Sequence, residues 1–258
     1  MPLQKPVLKF ILVTISISAG IAVYFLPAIH QDQSYHQFAD QRTLLGIPNY
    51  WNVISNLLFL WIGINGLQKI YQKRLHIIAE VNTAYLIFFS SITLIAFGSA
   101  YYHLQPNNLT LVWDRLPMTL AFMSLLSFAL AEFLSPAWAA KSLFPLLLTG
   151  MASVCYWYIG ELHGAGDLRL YALVQFLPLL LLLLLLVFGQ PVFKNCSGYW
   201  YLFAAYALAK VAEHFDTVIY NRTAGIIAGH AIKHLLSAAG LYILIIFFEK
   251  RNYKAGEK

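Results

Sequence analysis

Eight apolar stretches, each long enough to cross a bilayer, leave this chain little choice of fold. They run over 8–27, 50–68, 79–103, 111–134, 138–159, 170–188, 199–219 and 226–248. About twenty apolar residues match the hydrocarbon thickness as a helix, which satisfies its own backbone groups. The runs show no apolar/polar alternation, and leucine dominates them, with eight in a row at 179–186, so strands are not expected. Short breakers separate the spans: QPNN at 105–108, GAGD at 164–167, GQP at 189–191 and YNRT at 220–223. Composition agrees. Only 11% of the residues are charged and 60% are hydrophobic, where a soluble domain carries roughly a quarter charged residues. The expected fold is an all-α, polytopic membrane protein with a seven-transmembrane-helix core and an additional N-terminal transmembrane helix.

The division follows. Residues 1–28 read as a membrane anchor whose apolar length favours an uncleaved helix over a signal peptide. Residues 29–249 form the seven-helix domain, and 250–258 a basic cytoplasmic tail. Placing the N-terminus inside leaves eleven lysines and arginines in the cytoplasm and three, Arg42, Arg169 and Arg222, on the other side. The positive-inside rule therefore sets the orientation, with the C-terminus cytoplasmic. The net charge of +6 is scattered over short loops, so no nucleic-acid partner is expected, and nothing implies a protein partner. Cys155 and Cys196 form neither a disulfide framework nor a metal motif.

Against this apolar text stands GSAYYHLQPNNLTLVWDRLPM, residues 98–118. Ionisable groups within spans are expensive unless paired, hydrated or metal-bound, so they mark sites. Ser99 and His103 lie at the outer end of the third span, and Asp114 and Arg115 at the outer start of the fourth. His230 and His234 lie at the outer start of the last. Three distant elements thus bring these groups to one leaflet. Ser99 and His103, like His230 and His234, are four residues apart and share a helix face. Three imidazoles at about 2.0–2.1 Å from a cation make the ligand set of a catalytic zinc whose fourth position is left to water. Asp114 could deprotonate that water, whose pKa zinc lowers to around 7. Ser99 could donate a hydrogen bond to a developing oxyanion. Taken singly, each residue has a plainer reading: an interfacial histidine, a packing serine, or an Asp114–Arg115 charge pair. Agreement in depth, spacing and ligand type favours the site.

Ser99-x3-His103, Asp114 eleven residues later, and His230-x3-His234 in the last helix resemble the motif set of the alkaline ceramidases. These belong to a superfamily of seven-helix membrane hydrolases that includes the progestin/adiponectin receptors and glycosylphosphatidylinositol-remodelling proteins. NYWNVISNLLFLWIGINGL at 49–67 is similar to the first core helix of that family. The similarity runs from about residue 38 to 248. It implies zinc on His103, His230 and His234, a water-orienting Asp114 and an oxyanion-stabilising Ser99. It also implies hydrolysis of the amide bond of ceramide or a related N-acyl lipid in the membrane. Animal members carry an acidic calcium segment before the first core helix. Here Asp32 and Asp40 are the only carboxylates of that region, and Asn49 stands where a glutamate is expected. Calcium takes six to eight oxygens, so Asp40 with carbonyl groups would hold Ca²⁺ only weakly. The extra helix and short loops look more like the bacterial members, which implies an inner membrane with the active site toward the outer leaflet.

Two other classes compete. A receptor or sensor would hold structural zinc, but no sizeable cytoplasmic loop offers a grip for a partner. A proton-coupled transporter would use Asp114, Glu213 and the histidines as a relay, but no inverted repeat appears. In KVAEHFD at 210–216, Lys210 and Glu213 can neutralise each other, and Lys233 is expected to pair with a carboxylate there. His214 is the rival ligand to His103. Glu132 is expected at the inner interface, and Glu161, His163 and Asp167 in a solvated outer loop.

Overall fold

The structure is a computed structural model that describes residues 2–256. Its helices are α1 (Lys5–Phe25), α2 (Tyr50–Ile54), α3 (Leu57–Tyr71), α4 (Asn82–Leu104) and α5 (Asn108–Phe133). They continue with α6 (Pro136–Leu162), α7 (Arg169–Phe188), α8 (Ser197–His214), α9 (Asp216–Arg222) and α10 (Gly229–Lys250). Among the described residues, only two isolated β-bridges depart from helix and loop. Seven helical segments are long and apolar enough to cross a membrane, with α2 and α3 counted as one and α1 included. The chain is an all-α, multi-pass membrane protein. The eighth long helix, α8, misses that mark because its tyrosines, Trp200, Lys210, Glu213 and His214 make it too polar on average.

Helix α5 is the axis of the bundle and packs against α4, α6 and α7, while α10 packs against α8 and α3. From Ala121 to Phe133 nearly every α5 residue is buried, serines and Glu132 included. A helix buried all round needs neighbours on every side, which explains its weak amphipathicity. Helix α1 stands apart. It buries only Leu8 and Leu12 and leans on α7. Its C-terminal carbonyls at Val23, Tyr24 and Leu26 accept from Arg169, which is held by Asp167 at 2.8 Å. Such an end-on cation suits the orphan carbonyls of a helix C-terminus. Asp167 is therefore buried, not solvated.

Two expected spans are broken. The span at 50–68 bends between α2 and α3, where Ser55 Oγ donates to the Asn52 carbonyl and Asn56 Nδ2 to the carbonyls of Asn52 and Val53. Side chains that bond nearby backbone compete with the helix ladder. The span at 199–219 stops at His214, and α9 restarts at Asp216. At the inner end Glu132 is fully buried rather than interfacial, with Arg251 Nη1 and Nη2 on its two oxygens at 2.8 and 2.7 Å. The tail folds back there: Lys254 N–H donates to Val192, and the Tyr253 hydroxyl to Ile77.

Candidate metal centre

Two glycines bring the site together. A Cβ on Gly98 would lie 2.0 Å from the Trp113 carbonyl oxygen, so only glycine lets α4 and α5 meet here. Pro117, inside α5, lacks the N–H that the Trp113 carbonyl would otherwise accept. That carbonyl faces α4, and the next residues on each helix, Ser99 and Asp114, come together beside it. The start of α5 is fixed by a capping box in which the Asn107 side chain accepts from Thr110 N–H and Thr110 Oγ1 accepts from Asn107 N–H. Gly229 does the same for α10, since its Cβ would lie 2.0 Å from the Ala212 carbonyl oxygen of α8. Asp216 then caps α10 by accepting from His230 N–H at 2.7 Å, and its other oxygen accepts from Ala39 N–H at 2.9 Å.

These constraints bring the three expected histidines face to face. His103, in the last turn of α4, has its ring centroid 4.8 Å from His230 and 5.1 Å from His234, and the latter two are 5.1 Å apart. Their ligand nitrogens all lie within 4.8 Å of one another, and all three side chains are buried. His103 is the telling one. Only 1% of it is exposed, yet neither ring nitrogen has a hydrogen-bond partner among the described residues. A neutral imidazole carries one donor and one acceptor, and leaving both unpaired in a bundle core is costly. A divalent ion fits this nitrogen set.

Neighbouring residues orient the rings. Ser55 Oγ donates to the Asn52 carbonyl and lies 2.7 Å from His234 Nδ1. With the hydroxyl proton on Asn52, Ser55 Oγ is an acceptor for Nδ1–H, the tautomer that leaves the Nε2 lone pair of His234 free for a metal. Asn49 donates to the His103 carbonyl at 2.8 Å. The position where a glutamate was expected thus holds the end of α4. The Lys233 ammonium lies 3.0 Å from His230 Nε2 and pairs with Glu213 at 2.9 Å. Glu213 also pairs with Lys210, so both expected pairings are present. Phe38 covers the cluster from outside, with centroids 4.8 Å from both His103 and His230.

The remaining expected residues fall into place. Ser99, Asp114 and His234 line one cavity of about 550 Å³, which runs inward among apolar residues such as Ile92, Leu125 and Leu182. His214 is exposed against Phe215 and takes no part. Asp40 does not fit calcium. It is 1% exposed and engages Arg42 through both oxygens, at 2.9 Å to Nε and 2.6 Å to Nη2. Burial pushes its carboxyl up, but those hydrogen bonds outweigh it and hold the group below the usual carboxylate range. Sequence reasoning missed Ser55, Phe38 and the capping role of Asp216, because each acts through a neighbour distant along the chain.

A family model described as Ceramidase matches residues 45–256, which include every residue of the histidine cluster along with Ser99 and Asp114. No curated protein matches the chain.

Proposed function

Given that the chain belongs to the ceramidase family, we propose that it is a zinc-dependent amidohydrolase cleaving ceramide or a related N-acyl lipid to an amine and a fatty acid. The observation that carries this reading is the unpartnered His103 within a buried cluster of three histidines, next to a cavity that also presents Asp114 and Ser99.

His103, His230 and His234 would hold the ion, and an all-imidazole set with room beside it suits catalytic zinc. Bound there, zinc supplies Lewis acidity and lowers the pKa of water. The rest is done by the protein. Asp114 takes a proton from the attacking water as the oxygen bonds to the amide carbon. The Ser99 hydroxyl donates to the carbonyl oxygen as it becomes negative. As the C–N bond breaks, Asp114 returns that proton to nitrogen, and the acyl half forms as a carboxylic acid whose remaining water-derived proton passes to the amine, so the products leave as an ammonium and a carboxylate. The cavity is of a size that buries most of a drug-sized ligand, and its apolar depth suits an alkyl chain.

Phe38 and residues 29–35 cover the outer face, so the substrate enters sideways from the bilayer. The gap between α7 and α8 favours that route, because these helices touch sparingly and both line the cavity. The orientation set by the basic loops turns the site toward the outer leaflet of a plasma membrane. The test is metal analysis of purified protein together with mass spectrometry of fatty acid released from a panel of N-acyl lipids. About one zinc per chain and amide cleavage, both lost in His230→Ala, are expected. Active protein without transition metal, or metal-loaded protein that cleaves no amide, overturns the reading.

A further inference from the structure

Arg115 is 5% exposed, within a membrane span, and has no ion-pair partner among the described residues. A buried guanidinium in that position ordinarily has a counter-ion. One does so at the inner end, where Arg251 takes Glu132. Arg115 has instead been given orientation without neutralisation. Its Nη2 donates to Gln31 Oε1 at 2.7 Å, while Nη1 is buried and has no partner. Its flat faces lie against Trp157 and Tyr171, with centroids 4.3 and 4.6 Å away. Aromatic faces hold a guanidinium in place but leave its in-plane donors available.

The location gives this a purpose. Arg115, Gln31 and Tyr171 line the same cavity as Asp114 and Ser99. Glu213, a half-buried carboxylate of that cavity, is already shared between Lys210 and Lys233. One end of the cavity is apolar, and the other holds a fixed cation without an ion-pair partner among the described residues, next to the cleavage residues. An amphiphile complementary to both ends carries an oxyanion near its amide. The planar donor fork of a guanidinium matches carboxylate, phosphate and sulfonate oxygens.

We propose that Arg115, oriented by Gln31, forms a binding site for a lipid oxyanion beside the scissile amide, first of all an acidic headgroup on the amine half of the substrate. This rests on the amidohydrolase reading. Gln31 precedes the family-matched residues 45–256, so the segment after α1 contributes to substrate choice as well as covering the site. The same chemistry could be supplied by the carboxylate of the released fatty acid.

The test compares N-palmitoyl sphingosine with its 1-phosphate, which share chain and amide and differ by one oxyanion. A charge-assisted contact predicts a kcat/KM about tenfold to a hundredfold higher for the phosphate. The advantage should collapse in Arg115→Gln, survive in part in Arg115→Lys and shrink in Gln31→Ala. Palmitate inhibition of neutral-lipid cleavage that is relieved in Arg115→Gln, without a headgroup preference, supports the site and assigns it to the product. Neither effect in the wild type, or both unchanged in Arg115→Gln, overturns the proposal. Hexadecyl phosphate binding needs no turnover and is read by tryptophan fluorescence, since Trp157 lies against the guanidinium. Binding that depends on Arg115 supports the site, and binding unchanged in Arg115→Gln overturns it. Failure to cleave either lipid counts against the hydrolase reading alone.

Discussion

At the inner end of the bundle Glu132 receives Arg251 on both oxygens and the Tyr85 hydroxyl at 2.5 Å. Phe193 and Phe248 lie against the guanidinium, each 3.9 Å to the centroid. At the outer end, among the described residues, His103 has no partner for either nitrogen and Arg115 no carboxylate in ion-pair contact. Both ends bury polar groups in an apolar protein, but only one satisfies its charges with its own residues. That separates a structural lock from a reactive site: the lock is internally complete, and the site is complementary to something that must be added. Burial alone would not have told them apart, since Glu132 is as enclosed as the histidines.

The contrast can be broken from either end. The largest expected effect is at the outer end, where Asp114→Asn should lower turnover about 10²- to 10⁴-fold while metal content and melting temperature hold. An Asp114→Asn enzyme at full rate eliminates its role as base. Arg251→Met should behave oppositely. Stranding Glu132 costs about 3–5 kcal/mol of stability, read as a lower melting temperature in detergent, while the folded fraction keeps its specific activity. Adding Glu132→Leu should restore much of the loss, because removing both charges is far milder than removing one. A single variant as stable as wild type removes the lock from the account.

Smaller effects sharpen the picture. Ser55→Ala leaves His234 Nδ1–H without its acceptor and should weaken metal affinity about 10- to 100-fold, measured by competition with a chelator. Unchanged affinity would mean that packing against Phe59 orients the ring instead. The least effect is expected from Asp40→Asn, which loosens the segment leading to Asn49. The folded carboxyl titrates below its unfolded value, so its contribution is present above about pH 4 and is lost as pH falls through the lowered folded value. Wild type and variant should therefore differ modestly in melting temperature at neutral pH and converge in acid. A constant difference at every pH rejects the ion pair as the cause.

What could be read from residues alone follows the range of the forces involved. Apolar run length and the four-residue spacings are local, so the helices and the His230–His234 and Ser99–His103 faces were visible before any coordinates. Depth within a span added Asp114. The breaks at Ser55–Asn56 and Phe215 were not visible, because run length is indifferent to a polar side chain that turns back on its own backbone or across to another helix. The partners of Ser55 and Glu132 lie 179 and 119 residues away, and no spacing rule reaches that far. Asp40 misled for a different reason: Arg42 is only two residues on, but counting carboxylates does not show that it already occupies both oxygens.

The Glu132–Arg251 clasp bears on biogenesis. A polypeptide is delivered to the bilayer from its N-terminus, so Glu132 arrives 119 residues before the cation that neutralises it is synthesised. Until translation nears completion, Glu132 has the Tyr85 hydroxyl at hand but no cation to match it. A chain that stops short of Arg251 therefore keeps a buried carboxylate without its counter-ion, so the clasp closes only on the finished protein.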